Sequence, residues 1–164
     1  MFKVNDYIVY GMTGVCQITD IAKDEISNNE IQYYVLNPLN NDNLTIKVPV
    51  GNNNVSMRPI ITKNDILSLI ESMPATENIW SDDTRQRSMK FKAALKSGKN
   101  EELIKVIMTL SQEREARSMI GKKLTKTDED IMNTAEKQLT EEFAVVLDIS
   151  PEEVLHYIRE HVPK

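Results

Sequence analysis

Ile60-Ile61-Thr62-Lys63-Asn64-Asp65-Ile66-Leu67-Ser68-Leu69-Ile70 is the stretch where the spacing of apolar residues changes. From Ile66 onward they recur at three- and four-residue intervals, the period of one helix face. Thr62 followed by Asp65 has the form of an N-terminal capping box. Upstream, the apolar residues form short runs rich in β-branched and aromatic types: Tyr7 to Tyr10, Val15 to Ile18, Ile31 to Leu36 and Leu44 to Val48. Gly11 to Gly14, Ser27-Asn28-Asn29, Asn37-Pro38 to Asn43 and Gly51 to Asn54 separate them with residues that tolerate tight turns. The chain therefore reads as α+β with a boundary at residue 60. Four or five short strands in residues 1–60 predict a small SH3- or Tudor-like antiparallel β-barrel, because a flat sheet of this size leaves its edges and one face uncovered.

Residues 61–164 predict an all-α domain of about five helices, at 63–72, 82–97, 100–117, 127–147 and 151–161. Leu103, Val106, Ile107 and Leu110, then Ile131, Ala135, Leu139, Phe143 and Val146, keep the helical interval. Thr127 with Asp130, and Ser150-Pro151-Glu152-Glu153, supply cap signals. Ser97-Gly98 reads as a helix end, since glycine takes the left-handed cap conformation without strain.

Composition narrows the function. The 164 residues carry a net charge of −5, with one cysteine and two histidines, and the mean hydropathy is −0.40. Cys16 has no disulfide partner and reads as a small buried hydrophobe. His156 and His161 are five apart on one helix, off the i, i+4 face of a metal pair, so no metal or cofactor is expected. No run approaches the roughly 20 apolar residues of a membrane span, and Met1 to Asp6 lacks the basic and then apolar blocks of a secretory signal. A cytoplasmic protein is expected. There is no Ser/His/Asp or Cys/His constellation, and Gly121-Lys122-Lys123 lacks the rest of a phosphate-binding loop, so catalysis is not expected.

Trp80 is the single tryptophan, and it heads a basic segment. Between Arg85 and Lys105 seven cations face only Glu101 and Glu102, a local charge of +5 in an acidic chain. Cations neutralise phosphates while a ring stacks on or wedges a base step, so the combination suits nucleic acid. The plainer readings are a helix-capping core aromatic and a solvated basic face. Arg85, Lys92, Lys96 and Lys99 can share one side of a helix, with Met89 and Leu95 on the other. Asp82 and Asp83 fit the helix N-terminus through its dipole.

Phe2-Lys3-Val4-Asn5-Asp6-Tyr7-Ile8-Val9-Tyr10, Gly14-Val15, Tyr34-Val35-Leu36, Leu44 to Val50 and Arg58 resemble the N-terminal domain of CarD/CdnL bacterial transcription regulators, a domain shared with the transcription-repair coupling factor. Trp80-Ser81, the Arg87 region and Leu95-Lys96-Ser97-Gly98 followed by Val106 resemble the helical half of CarD, and helicase motifs are missing. The stretch from Trp80 to Leu95 is a few residues longer than the family pattern, with Asp82 and Asp83 inserted.

The resemblance implies a barrel that holds the RNA polymerase β subunit through an exposed strand at Ile46, Lys47, Val48 and Pro49. It implies a helical domain on promoter DNA at the upstream edge of the melted region, with Trp80 in the minor groove and little sequence reading. Arg85 and Arg87, then Lys90 and Lys92, are the preferred phosphate contacts. On this reading the protein is non-enzymatic, monomeric on polymerase and located with the nucleoid through it. On the docking strand Leu44, Ile46 and Val48 should point inward and Thr45 and Lys47 outward; an ordinary aggregation-blocking lysine is the plainer reading of Lys47. The segment near Lys23-Asp24 should lie close to this surface, with Asp24 a poor match for a basic contact. A competing possibility is a protein-interaction module whose barrel binds a peptide or protein without any DNA contact.

Overall fold

The computed structural model describes residues 1–23, 31–51 and 54–163. The chain forms two compact units, Met1–Ile60 and Ile61–Lys164. The turn expected at Ser27-Asn28-Asn29, together with Asp24, Asn52 and Asn53, lies outside the described residues.

The first unit is a five-stranded antiparallel sheet of β1 (Tyr7–Tyr10), β2 (Gly14–Lys23), β3 (Gln32–Pro38), β4 (Ile46–Pro49) and β5 (Met57–Pro59). The strand order is β4-β3-β2-β1-β5. The expected barrel is corrected on this point: β4 and β5 are the two edges and do not pair, so the sheet stays open. The long β2 carries a register shift between Ile18 and Asp20, and an extra residue of this kind bends and twists a strand without closing the sheet. Its core is Ile8, Cys16, Ile18, Tyr34, Leu36 and Val48, with Phe2, Tyr10, Ile21, Ile46, Val50 and Met57 packed around them. The tight path between β1 and β2 requires Gly11, at φ +46°, because a Cβ there would lie 2.6 Å from Cγ1 of Val55. Leu44 departs from its expected inward position and is 41% exposed. Its N–H closes a turn on the Asn41 carbonyl, and the strand begins only at Ile46.

Cys16 is fully buried, and burial pushes its thiol up to about 11. The exposed thiol titrates near 9.0. Above that value the unfolded chain loses a proton that the folded chain keeps, so stability is undiminished below about pH 9 and falls as pH rises toward 11. The loss amounts to about 2–3 kcal/mol at the upper end. Native protein at pH 8 is expected to leave a thiol-reactive chromophore unconsumed, with one equivalent reacting in denaturant. Rapid native labelling would contradict the buried assignment.

The second unit contains α1 (Lys63–Ser72), α2 (Thr84–Lys96), α3 (Asn100–Ser118), α4 (Lys126–Leu147) and α5 (Pro151–His161). Phe91, Phe143, Ile66, Ile70, Leu110, Met132 and Val106 are its largest fully buried apolar side chains. Thr62 caps α1 as its spacing predicts, accepting from the Asp65 N–H. The cap of α4 is Thr125 rather than Thr127. Both offer a hydroxyl with a carboxylate three residues on, but the Thr125 register turns Asp128 inward, where a buried guanidinium requires it. The Ser150 hydroxyl bonds the Glu153 carboxylate instead of capping backbone. On α2 the buried face is Arg87, Phe91, Ala94 and Leu95, and Met89, expected inward, is 64% exposed. Arg87 takes the inward place because it has a buried partner. His161 stacks on Tyr157 at 4.1 Å, and His156 faces Glu160. Among the described residues no helix is long and apolar enough to cross a membrane.

Candidate nucleic-acid interface

The loop before α2 is stitched to α3 residue by residue. The Ile79 N–H donates to Thr109 Oγ1 at 3.0 Å, and Asn78 Nδ2 donates to Gln112 Oε1 at 2.6 Å. Asn78 Oδ1 in turn accepts from the Trp80 N–H. These bonds hold Trp80 against the helical core, half-buried. The indole N–H donates to Asp82 Oδ1 at 3.0 Å. Asp83 caps α2 by accepting from the N–H groups of Arg85 and Gln86, which supplies a direct reason for an acidic residue there. The paired aspartates have different tasks, and helix-dipole reasoning anticipates only that of Asp83.

Arg87 is 4% exposed and does not face solvent. Its Nε donates to Asp128 Oδ1 at 3.3 Å and its Nη2 to Asp128 Oδ2 at 3.1 Å, while Nη1 donates to the Ser81 carbonyl at 2.9 Å. The Cζ of the same guanidinium stands over the Trp80 ring, 4.2 Å from its centroid, a cation–π contact worth about 2 kcal/mol when desolvated. Asp128 also accepts from the Thr125 hydroxyl and donates its own N–H back to that oxygen, a reciprocal cap. Arg87 therefore holds the tryptophan, and its burial leaves no N–H for a phosphate. A second guanidinium, that of Arg117, stands 5.7 Å from the ring, fixed by Glu113 and the Lys123 carbonyl.

A cleft of about 490 Å³ opens beside the ring, lined by Asn78, Trp80, Lys90, Ser97, Lys99 and Glu102 among others. Lys105 engages Glu102 at 3.3 Å. Lys90 and Lys99 form no ion pair among the described residues, and together with Glu77 and Glu102 they line the cleft beside the indole. Arg85 and Lys92 are exposed but do not line the cleft; seven residues apart, they share another side of α2. The structure thus gathers Trp80, Lys90 and Lys99 and separates Arg85 and Lys92 from them. Sequence reasoning left out Lys99 as a site residue, and it missed Arg117 and Asp128. The Thr125-to-Asp128 capping spacing was the available signal for the last of these.

Among the described residues of the first unit β4 pairs only with β3, with Lys47 opposite Val35 and Pro49 opposite Tyr33. Among the described residues no strand pairs with its outer backbone edge, and Lys47 and Pro49 are exposed. Val48 is 2% exposed and Ile46 packs on the core, so their side chains serve the sheet. Lys23 ends β2 opposite Gln32, one register row beyond the Ala22–Tyr33–Pro49 row.

The residues that build this sheet coincide with a known domain class. Residues 2–61 match a family model, and the class it defines is the RNA polymerase-interacting domain of transcription proteins. The family is the CarD-like/TRCF RID domain, in agreement with the resemblance carried by Phe2 to Tyr10 and Leu44 to Val50. No curated protein matches the chain.

Proposed function

We propose that the protein is a non-enzymatic transcription regulator that docks on the RNA polymerase β subunit and stabilises the open promoter complex. The docking surface is the free edge of β4, where a partner strand or loop can add to exposed backbone and meet Lys47. The helical domain places Trp80 in the minor groove at the upstream edge of the melted DNA, with Lys90 and Lys99 near the phosphates. The observation that carries this reading is the half-buried indole held beside a cleft that Lys90 and Lys99 also line. A wedge of this kind favours the opened state only, so it shifts an equilibrium without chemistry or strong sequence reading. A differential contact of about 1.4 kcal/mol shifts it tenfold. The deciding experiment is the open-complex lifetime with Trp80→Ala.

The docking strand has its own test. Lys47→Glu reverses an exposed charge on an edge strand without touching the sheet core, so folding stability should stay within about 0.5 kcal/mol of wild type. Co-purification with the β subunit is expected to fall by about tenfold or more, the effect of setting a like charge into a complementary interface. Equal recovery of both proteins would remove β4 as the docking strand.

A further inference from the structure

Arg87 and Asp128 lie 41 residues apart in sequence, yet their pair joins the loop that carries Trp80, α2 and the first turn of α4. A guanidinium has its five N–H donors in one plane. Here two edges of that plane are bound, one to both carboxylate oxygens of Asp128 and one to the Ser81 carbonyl, adjacent in sequence to the tryptophan. With its edges bound, the guanidinium is fixed in place, and its Cζ stands over the indole, 4.2 Å from the ring centroid. The Asp82 carboxylate then defines which edge of the indole carries the bonded N–H. An ammonium group could pair with Asp128, but as a compact point charge it lacks the planar fork that binds Asp128 and the Ser81 carbonyl at once.

We propose that Arg87, locked by Asp128, is the positioning residue for Trp80, setting the plane of the indole before any partner arrives. The proposal refines the function assigned above: the wedge is preorganised, and ordering of the ring is not left to the moment of binding. Two of the cations around the tryptophan therefore divide their work. Arg87 orients from the interior, and Lys90 is left to meet a partner from the surface.

Trp80 is the only tryptophan, so indole fluorescence of the full chain reads this one ring. In wild-type protein without DNA, the anisotropy decay should show overall tumbling with little local nanosecond motion; a dominant fast local component overturns the proposal without any variant. Arg87→Lys keeps a charge opposite Asp128 and removes the plane. The double variant Arg87→Met with Asp128→Leu removes both charges together, so no charge remains buried alone. In each, acrylamide quenching should rise at least twofold and a fast component should appear while the far-UV spectrum stays helical. A role confined to stability would lower the melting temperature and leave folded-state quenching and anisotropy at wild-type values, and that result overturns the proposal. Failure of the minor-groove reading has a separate signature, a Trp80→Ala protein with wild-type open-complex lifetime, which leaves the fluorescence outcome untouched.

Discussion

Asp128→Ala is expected to destabilise the helical unit by about 3–5 kcal/mol, the usual consequence of leaving one member of a buried ion pair without its counter-charge. The side chains of Arg87 and Asp128 are 5% and 3% exposed, so water cannot take over the role of the missing carboxylate. The substitution also removes one side of the reciprocal cap with Thr125 at the start of α4. For a unit of this size each kcal/mol lowers the melting temperature by about 4–8 °C, which puts the midpoint at least 10 °C lower. The comparison that isolates burial is Lys126→Ala. Lys126 and Asp130 form an i,i+4 pair on the same first turn, but their side chains are 85% and 57% exposed, and water screens such a pair so that it adds little to stability. Thermal unfolding followed by Trp80 fluorescence reads the helical unit directly. A loss below about 1 kcal/mol for Asp128→Ala would show that the ion pair is not sequestered as described.

The sequence was informative wherever a local pattern determines structure. The change of period after Ile60, the Thr62 cap and the Ser97-Gly98 ending depend on residues within one turn of each other, and the five helices lie close to their expected bounds. Sheet closure was not legible, because whether β4 and β5 pair depends on cumulative twist and on the bulge between Ile18 and Asp20. The role of Arg87 was hidden for a related reason. On a helical wheel a cation counts as a surface residue, and only a carboxylate 41 positions away turns it inward. Once Arg87 is placed inside, Met89 is left exposed and the basic residues of α2 divide into two groups. Trp80 was legible as unusual by its neighbours, but its stacking and the Asp82 bond are tertiary facts.

Trp80→Ala is expected to abolish most of the open-complex stabilisation while leaving association with polymerase within about twofold of wild type. The two effects separate because the indole belongs to the helical unit, whereas the RNA polymerase-interacting domain is residues 2–61. Loss of a wedge that supplies about 1.4 kcal/mol or more shortens the added lifetime by tenfold or more. Lifetime is the proper readout rather than transcript yield, since holding a promoter open speeds initiation where opening limits it and slows escape where it does not. The lysines should respond differently. Lys90→Ala or Lys99→Ala is expected to weaken DNA association about equally across sequences and to reduce the slope of log affinity against log salt by about 0.9 for each phosphate that the lysine neutralises. Trp80→Ala should change that slope little, because the indole carries no charge. If Trp80→Ala prolongs the open complex as wild type does while polymerase still binds, the minor-groove wedge is excluded.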